Sequence, residues 1–225
     1  MIEAFTGLDE SNYPAIFRKM YKQRYSIYVK RRKWKDLKPN RDLEKDQYDT
    51  KNAIYLLAMD ERDEILGGLR LLPTDQPHIL GDLFPHLAQN GKVPRGSDIY
   101  ELTRFYVAPF GANRQQRDWL IGVLSAGMFE YCLEHGIRQV TSVIDTFLLP
   151  LMLSMEWPVK PLGLPGSYAE GTAIAIVTDV TERALATTRL TKGVDGPVLR
   201  STAVFVPRIP SQLRETGFSA GGFMQ

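Results

Sequence analysis

Charged side chains interrupt two otherwise apolar segments in the first half of the chain. Arg70 lies within the segment 65–72, and Glu101 and Arg104 lie within 99–107. A charge among apolar neighbours is costly unless an opposite charge and hydrogen bonds compensate it. The sequence offers both signs in equal number: Arg24, Arg70 and Arg104 against Asp46, Asp49 and Glu101. These residues predict either a polar substrate site or a structural ion-pair network that ties the N-terminal segment to a sheet.

Alternating strand-like and helix-like segments would position these residues. Helical spacing of apolar residues predicts a helix over 13–29 with Arg24 on its apolar side, followed by a loop over 30–52. Strands are predicted over 53–59, 65–73, 98–107, 139–144 and 172–178, and further helices from Asn113 to Gly136, over 146–155 and over 181–189. This order favours an α/β fold with a mixed central sheet flanked by helices.

The spacing of Glu101 and Arg104 sets a geometric condition. Residues an odd number apart in a regular strand point to opposite faces of the sheet. Both side chains can reach one site only if the strand contains a β-bulge or splays from its neighbour.

The composition indicates a single globular domain. The 225 residues are 44% hydrophobic, and a formal charge of +2 gives no general attraction for nucleic acid. Cys132 is the only cysteine, and His78, His86 and His135 lack ligand spacing, so we expect no metal and place the histidines in loops or on the surface. No apolar run approaches the roughly 20 residues of a membrane span, and no secretory signal pattern is present, so we expect a cytoplasmic protein with no membrane partner.

Six local patterns follow one another along the first half of the chain. They are Arg24, Trp34, Glu44-x-Asp46-x-x-Asp49, Gly67-Gly68-Leu69-Arg70-Leu71-Leu72-Pro73-Thr74, Leu83-Phe84-Pro85 and Glu101-x-x-Arg104-Phe105. This ordered set resembles the acyl-homoserine-lactone synthases, the LuxI-type autoinducer synthase family, and the likeness continues more loosely to about Asp179. Tyr28 is a departure, because the family usually has phenylalanine there and the tyrosine adds a hydroxyl group.

The resemblance implies the fold of the GCN5-related N-acetyltransferases and the synthesis of a quorum-sensing signal. An acyl group would pass from a thioester to the amine of S-adenosylmethionine, with lactone closure and release of methylthioadenosine. The acyl thioester and S-adenosylmethionine are both substrates, and no cofactor is implied. By the same resemblance Glu101 is the expected catalytic base. The expected substrate-binding residues, some in direct contact and some as bracing, are Arg24, Tyr28, Trp34, Asp46, Asp49, Arg70, Arg104 and Phe105.

The resemblance also divides the chain. Residues 1–225 would form one synthase domain, with an N-terminal helix and substrate-covering loop in 1–52 and a sheet–helix core in 53–190. Residues 207–225 are predicted to form a mobile tail.

An apolar pocket for the acyl chain is expected in the second half. Matching residues 136–157 to the family without gaps puts Ser142 where several members carry threonine. The predicted pocket residues are Leu102, Ser142, Ile144, Leu148 and Met152, with Phe105 beside them. Core packing accounts for the apolar members of this set equally well.

Acyl-coenzyme A is favoured over acyl carrier protein as the thioester. Members that dock the acidic carrier protein tend to have basic residues on the helix matching 147–155, and here that segment contains none. Arg114 and Arg117, at the start of the long helix, would be better tolerated beside a phosphate, and solvated surface arginines are the alternative interpretation.

Two other functions stay open at this point. A related acyltransferase could act on another amine, and it would release no methylthioadenosine. Alternatively, the basic run 30–35 could contact nucleic acid or an acidic protein.

Overall fold

The computed structural model describes residues 1–34, 37, 39–89, 92–108 and 113–200. Within these ranges, the predicted mixed α/β architecture is confirmed. The predicted mobile tail 207–225 and Lys35 of the basic run lie outside the described residues.

Eight strands of the described chain form one sheet in the order β1-β2-β3-β4-β5-β8-β6, with β7 paired to β8. The strands are β1 Ile2–Thr6, β2 Ile54–Met59, β3 Ile65–Pro73, β4 Ile99–Val107, β5 Gln139–Asp145, β6 Val159–Pro161, β7 Gly166–Tyr168 and β8 Gly171–Asp179. β4 and β5 are parallel, whereas the other paired strands are antiparallel. The predicted hairpin is β2–β3. β1 was not predicted, and it adds the start of the chain to the sheet edge.

The α-helices are α1 Pro14–Arg24, α2 Ile79–Asp82, α3 Arg114–Glu134, α4 Leu149–Ser154 and α5 Glu182–Lys192. The helix predicted over 13–29 is α1 continued by a π-helical segment, Tyr25–Arg31. Asn113 caps the start of α3 as predicted, since its side chain accepts a hydrogen bond from the backbone N–H of Gln116. Gly136, with φ +69°, follows the end of α3 in a left-handed conformation that glycine adopts without steric cost. Among the described helices, none is long and apolar enough to cross a membrane.

Helices cover both faces of the sheet. Alternate residues of β2 belong to separate cores, because successive side chains of a strand point to opposite faces. Leu56 packs in the core beneath α3, whereas Tyr55 and Leu57 pack with Phe17 of α1. Arg70 and Thr103, directly paired across β3 and β4, lie on the α1 face. This face therefore carries the polar residues singled out in the sequence.

A β-bulge distorts β4 where the sequence required one. The pairing with β3 shifts register between Gly68 and Arg70, and Arg104 has a φ of +51°. This left-handed conformation is unusual for a residue with a side chain. The bulge turns the Arg104 side chain towards Asp46, which Arg70 also contacts. In a regular strand Arg104, three positions after Glu101, would point to the opposite face of the sheet.

Candidate active site

Six charged side chains meet on the α1 face of the sheet. Arg24 comes from the last turn of α1, the carboxylates come from the loop that follows, Arg70 comes from β3, and Arg104 comes from the bulge of β4. We call this set the charged cluster: Arg24, Glu44, Asp46, Asp49, Arg70 and Arg104. Its three positive and three negative charges balance.

Arg24 is bound by two carboxylates. Its Nε donates to Glu44 Oε2 at 2.5 Å, and its two terminal nitrogens donate to the two oxygens of Asp49 at 2.8 and 2.9 Å. The bidentate geometry with Asp49 fixes both the position and the plane of the guanidinium group.

Arg70 joins Asp49 to Asp46 on the sheet side. Its Nη1 donates to Asp46 and to Asp49, each at 2.7 Å, while Nη2 donates to Asp46 at 3.0 Å. Its Nε donates to Thr103 Oγ1 at 3.0 Å, so each donor nitrogen of this buried side chain has a partner.

Arg104 completes the cluster and corrects one expectation. Its Nη2 donates to Glu44 and to Asp46, each at 2.8 Å. The third carboxylate that faces the arginines is therefore Glu44, and the prediction that Glu101 takes this place was wrong. The physical reason is that Glu101 is engaged by backbone donors instead.

The cluster holds its carboxylates ionised. Burial by itself would raise the pKa of Glu44, but Arg24 and Arg104 lower that pKa to about 2. Burial likewise opposes ionisation of Asp49, and Arg70 and Arg24 hold the pKa of Asp49 far below its ordinary value. The charges thus stabilise one another where water cannot.

Exposure separates the members of the cluster. The side chains of Arg24, Arg70, Glu44 and Asp49 are 0–2% exposed. Arg104 is 7% exposed and Asp46 is 12% exposed. Arg104 and Asp46 therefore form the side of the cluster that solvent or a ligand can reach.

Glu101 lies on β4, fully buried, and binds the start of α2. Its two carboxylate oxygens accept hydrogen bonds from the backbone N–H groups of Ile79 and Leu80, at 2.7 and 2.8 Å. Burial raises the pKa of Glu101 to about 7, against the lowering effect of the two N–H donors. A carboxyl group with such a pKa can exchange a proton near neutral pH.

Aromatic rings stand over the open side of the cluster. The Tyr28 and Trp34 ring centroids are 4.7 Å apart, and the Arg104 guanidinium lies 5.3 and 5.5 Å from them. The Tyr28 hydroxyl donates to the backbone carbonyl of Phe105 at 3.0 Å. That bond ties the π-helical segment to the bulge of β4.

The predicted acyl-pocket residues lie mainly in one apolar cluster. Leu102 and Met152 are buried members of the core beneath α3, and Ile144 and Phe105 pack against it. Ser142 is buried on β5, while Leu148 is half-buried on the turn Thr146–Leu148 before α4. The helix predicted over 146–155 is present as a 3₁₀-helical turn, Thr146–Leu148, that continues into α4.

Residues beyond the predicted set also contribute. Glu44 belongs to the acidic motif in the sequence, but its burial could not be predicted, because the loop that carries it has no apolar periodicity. Tyr55 donates to Asp49 at 2.9 Å, and Thr103 supports Arg70. His78, expected in a loop or on the surface, lies in the loop between β3 and α2 and is fully buried there.

Comparison with known proteins identifies the family of this chain. Residues 9–187 match the autoinducer synthase family. The isovaleryl-homoserine lactone synthase of Bradyrhizobium diazoefficiens is 32% identical over 186 residues, which cover 82% of each chain. The solved structure of MesI, described as a CoA-dependent acyl-homoserine lactone synthase, is 34% identical, covers 89% of this chain and 100% of its own, and has a TM-score of 0.80.

Two further solved structures share this fold, one at higher and one at lower sequence identity. BjaI, also described as CoA-dependent and solved with SAM and isopentyl-CoA, is 30% identical, covers 89% of this chain and 92% of its own, and has a TM-score of 0.80. An N-acetyltransferase from Lactobacillus plantarum, 10% identical with a TM-score of 0.53, shares the fold alone over 80% of this chain and 99% of its own.

Fold and site together define an acyltransferase with an acetyltransferase-like sheet. Within that class, the chain belongs to the autoinducer synthase family, and it is an acyl-homoserine-lactone synthase. The resemblance stated from the sequence motifs is confirmed.

Proposed function

We propose that this synthase uses acyl-coenzyme A, and that the charged cluster and its aromatic rings bind S-adenosylmethionine. The amine attacks the thioester carbonyl, the C–S bond breaks, and the thiol leaves with a proton. The carboxylate oxygen of the methionine part then displaces methylthioadenosine to close the lactone. The observation that carries the proposal is a charge-balanced cluster whose accessible side presents one arginine and one carboxylate beneath two aromatic rings.

The cluster divides between contact and bracing. Arg104 suits the substrate carboxylate and Asp46 suits its ammonium, because these two side chains retain exposure. Tyr28 and Trp34 suit the sulfonium or the adenine through their ring faces. The remaining members, Arg24, Glu44, Asp49 and Arg70, act as bracing, since they are enclosed by one another.

The test of this division is a pair of substitutions in one loop. Asp46→Asn keeps the shape but removes the charge, and we expect the KM for S-adenosylmethionine to rise about tenfold or more. Asp42→Asn, at an exposed position in the same loop, is the matched control and should behave as wild type. Equal KM values for the two variants would remove Asp46 from substrate contact.

Glu101 is proposed as the base that takes the proton from the substrate amine, directly or through water. Its pKa of about 7 supports this role, because a base acts best when its pKa lies near the working pH. The two backbone N–H groups leave lone pairs free on each oxygen and fix the direction of the carboxylate.

The acyl chain is proposed to enter between β4 and β5. The two strands pair only from Ile99 to Glu101 with Gln139 to Thr141 and then part. We call the space beyond, between β4 from Leu102 and β5 from Ser142, the wedge. Its walls carry Leu102, Phe105, Ser142 and Ile144, with Met152 and Leu148 behind them, which suits an apolar chain.

Three observations support coenzyme A as the carrier. MesI and BjaI are both described as CoA-dependent. α4 carries no positive charge, and Leu153 within it and Phe147 before it are exposed apolar residues that offer an acidic carrier protein no ionic contact. Arg114 and Arg117 lie on the first turn of α3, where their positive charges would suit a phosphate.

The deciding experiment supplies one acyl group on both carriers. The purified protein is incubated with S-adenosylmethionine and either acyl-coenzyme A or the matching acyl carrier protein, and lactone and methylthioadenosine are quantified by mass spectrometry. We expect turnover with the coenzyme A thioester and a several-fold higher KM for it in Arg117→Gln. Faster turnover with the carrier protein would reverse the donor assignment, and acylation without methylthioadenosine would indicate another amine as substrate.

A further inference from the structure

An ion pair crosses the open end of the wedge. Arg32 directly follows the π-helical segment, and Asp145 is the last residue of β5. Arg32 Nη1 lies 3.7 Å from Asp145 Oδ2. The pair therefore joins the N-terminal segment, which carries part of the charged cluster, to the strand on the far side of the wedge.

Each partner of this pair is held by its own side of the wedge. The Arg32 guanidinium lies 5.7 Å from the rings of both Tyr28 and Trp34. Tyr28 in turn donates to the Phe105 carbonyl on β4. On the other side, Asp145 Oδ1 accepts a hydrogen bond from the hydroxyl of Tyr168 in β7. A continuous set of contacts thus spans from β4 to β5 and β7.

The pair is accessible enough to open. The side chain of Arg32 is 37% exposed and that of Asp145 is 14% exposed, in contrast to the enclosed ion pairs of the charged cluster. Ion pairs at such exposure contribute little to stability, since water competes for both charges. A role in overall stability is therefore a poor account of this arrangement, whereas a role at the mouth of the wedge is consistent with its position.

We propose that Arg32 and Asp145 are positioning residues that close the mouth of the wedge over the bound acyl thioester. This inference deepens the proposed function and rests on its placement of the thioester between β4 and β5. The pair makes no bond to the reacting atoms in this account. It sets the distance between the N-terminal segment and β5, so it should affect thioester binding more than turnover or S-adenosylmethionine binding.

A double-substitution cycle tests the proposal. Arg32→Gln and Asp145→Asn each remove one charge, and the asparagine keeps an oxygen for Tyr168. We expect each single variant to raise the KM for acyl-coenzyme A about two- to fivefold, the range that corresponds to a partly exposed pair. The double variant should show the same rise as either single one, because the pair is already broken. Values of kcat and of the KM for S-adenosylmethionine should stay within about twofold of wild type, a split that a merely structural role would not produce.

Arg31→Gln is the matched control for Arg32→Gln, since Arg31 is the exposed neighbour and the two substitutions change the net charge equally. The proposal would be overturned if the fold-increase in KM of the double variant equalled the product of the two single fold-increases. It would also be overturned if the KM were unchanged in all variants.

Hydrogen–deuterium exchange separates this inference from the proposed function. The segment 25–34 should exchange faster in both single variants than in the wild-type protein, whether or not lactone forms. The double variant should exchange at the same rate as the single variants. A wild-type protein that makes no lactone from S-adenosylmethionine and either thioester would refute the proposed function. Unchanged exchange in all variants would refute the positioning pair alone.

Discussion

Replacement of Glu44 by glutamine offers a direct test of the charged cluster. Glu44 joins Arg24 to Arg104, and these arginines lower its pKa from 4.5 to about 2. At 1.36 kcal/mol per pH unit, this difference corresponds to about 3 kcal/mol of stability at neutral pH. Glu44→Gln keeps the shape but leaves two buried guanidinium groups short of one charge, so we expect a loss of about 3 kcal/mol.

The assay is equilibrium unfolding in urea, with thermal unfolding as a second measure. For a chain of this size, 3 kcal/mol corresponds to a fall in Tm of about 6–12 °C. Glu61→Gln, in the exposed turn between β2 and β3, is the matched control and should change little.

The pH dependence supplies an independent check. Because the pKa of Glu44 is lower in the folded protein, its contribution is complete above pH 4.5 and declines as the pH falls towards 2. The stability difference between wild type and Glu44→Gln should therefore narrow below pH 4.5. A loss under about 1 kcal/mol at pH 7, or a difference that stays constant from pH 7 to pH 3, would refute the electrostatic account of the cluster.

Three further predictions concern the base, the Tyr28 hydroxyl and the acyl pocket. Glu101→Gln should lower kcat at least a hundredfold and abolish the rise in activity as the pH increases through about 7, measured as a pH–rate profile; a retained inflection would assign that proton to another group. Tyr28→Phe should lower stability by about 1 kcal/mol in urea unfolding, because it leaves the Phe105 carbonyl without its hydroxyl donor, and unchanged stability would show that water replaces this bond. Met152→Ala should shift the ratio of kcat/KM values towards longer acyl-coenzyme A substrates by about tenfold, with exposed Leu190→Ala as control, and an unchanged ratio would place Met152 in the core alone.

Much of the fold follows from periodicity. β2, β3, β4, β5 and β8 are apolar runs bounded by turn residues, and their predicted bounds agree with the structure to within one or two residues. β6 and β7 span three residues each, too few to show a period. β1 is equally short of local signal, because its strand conformation depends on pairing with β2, about fifty residues away. The π-helical continuation of α1 leaves no trace either, since the apolar spacing of Tyr25–Arg31 also fits an α-helix.

The site was predictable in kind but not in its pairing. Burial of Arg70 and Arg104 follows from their apolar segments, and the need for a bulge follows from the spacing of Glu101 and Arg104. Which carboxylate meets which arginine depends on the path of a polar loop, and the sequence of that loop has no period from which burial of Glu44 could be inferred.

Glu101→Gln also has a structural effect that the sequence did not indicate. A glutamine amide would face one of the two backbone donors of α2, at a cost of about 1–3 kcal/mol.

The separation of the cluster's members along the chain bears on the order in which the protein folds. Asp49 and Arg70 are 21 residues apart, whereas Glu44 and Arg104 are 60 apart. Contacts between distant residues close large loops and form late. The N-terminal carboxylates therefore pair with Arg104 only once β4 is in place, and a fragment that starts after residue 52 would bury two arginines, Arg70 and Arg104, without the carboxylates of the cluster. Assembly of the charged cluster and completion of the fold are, on this account, the same event.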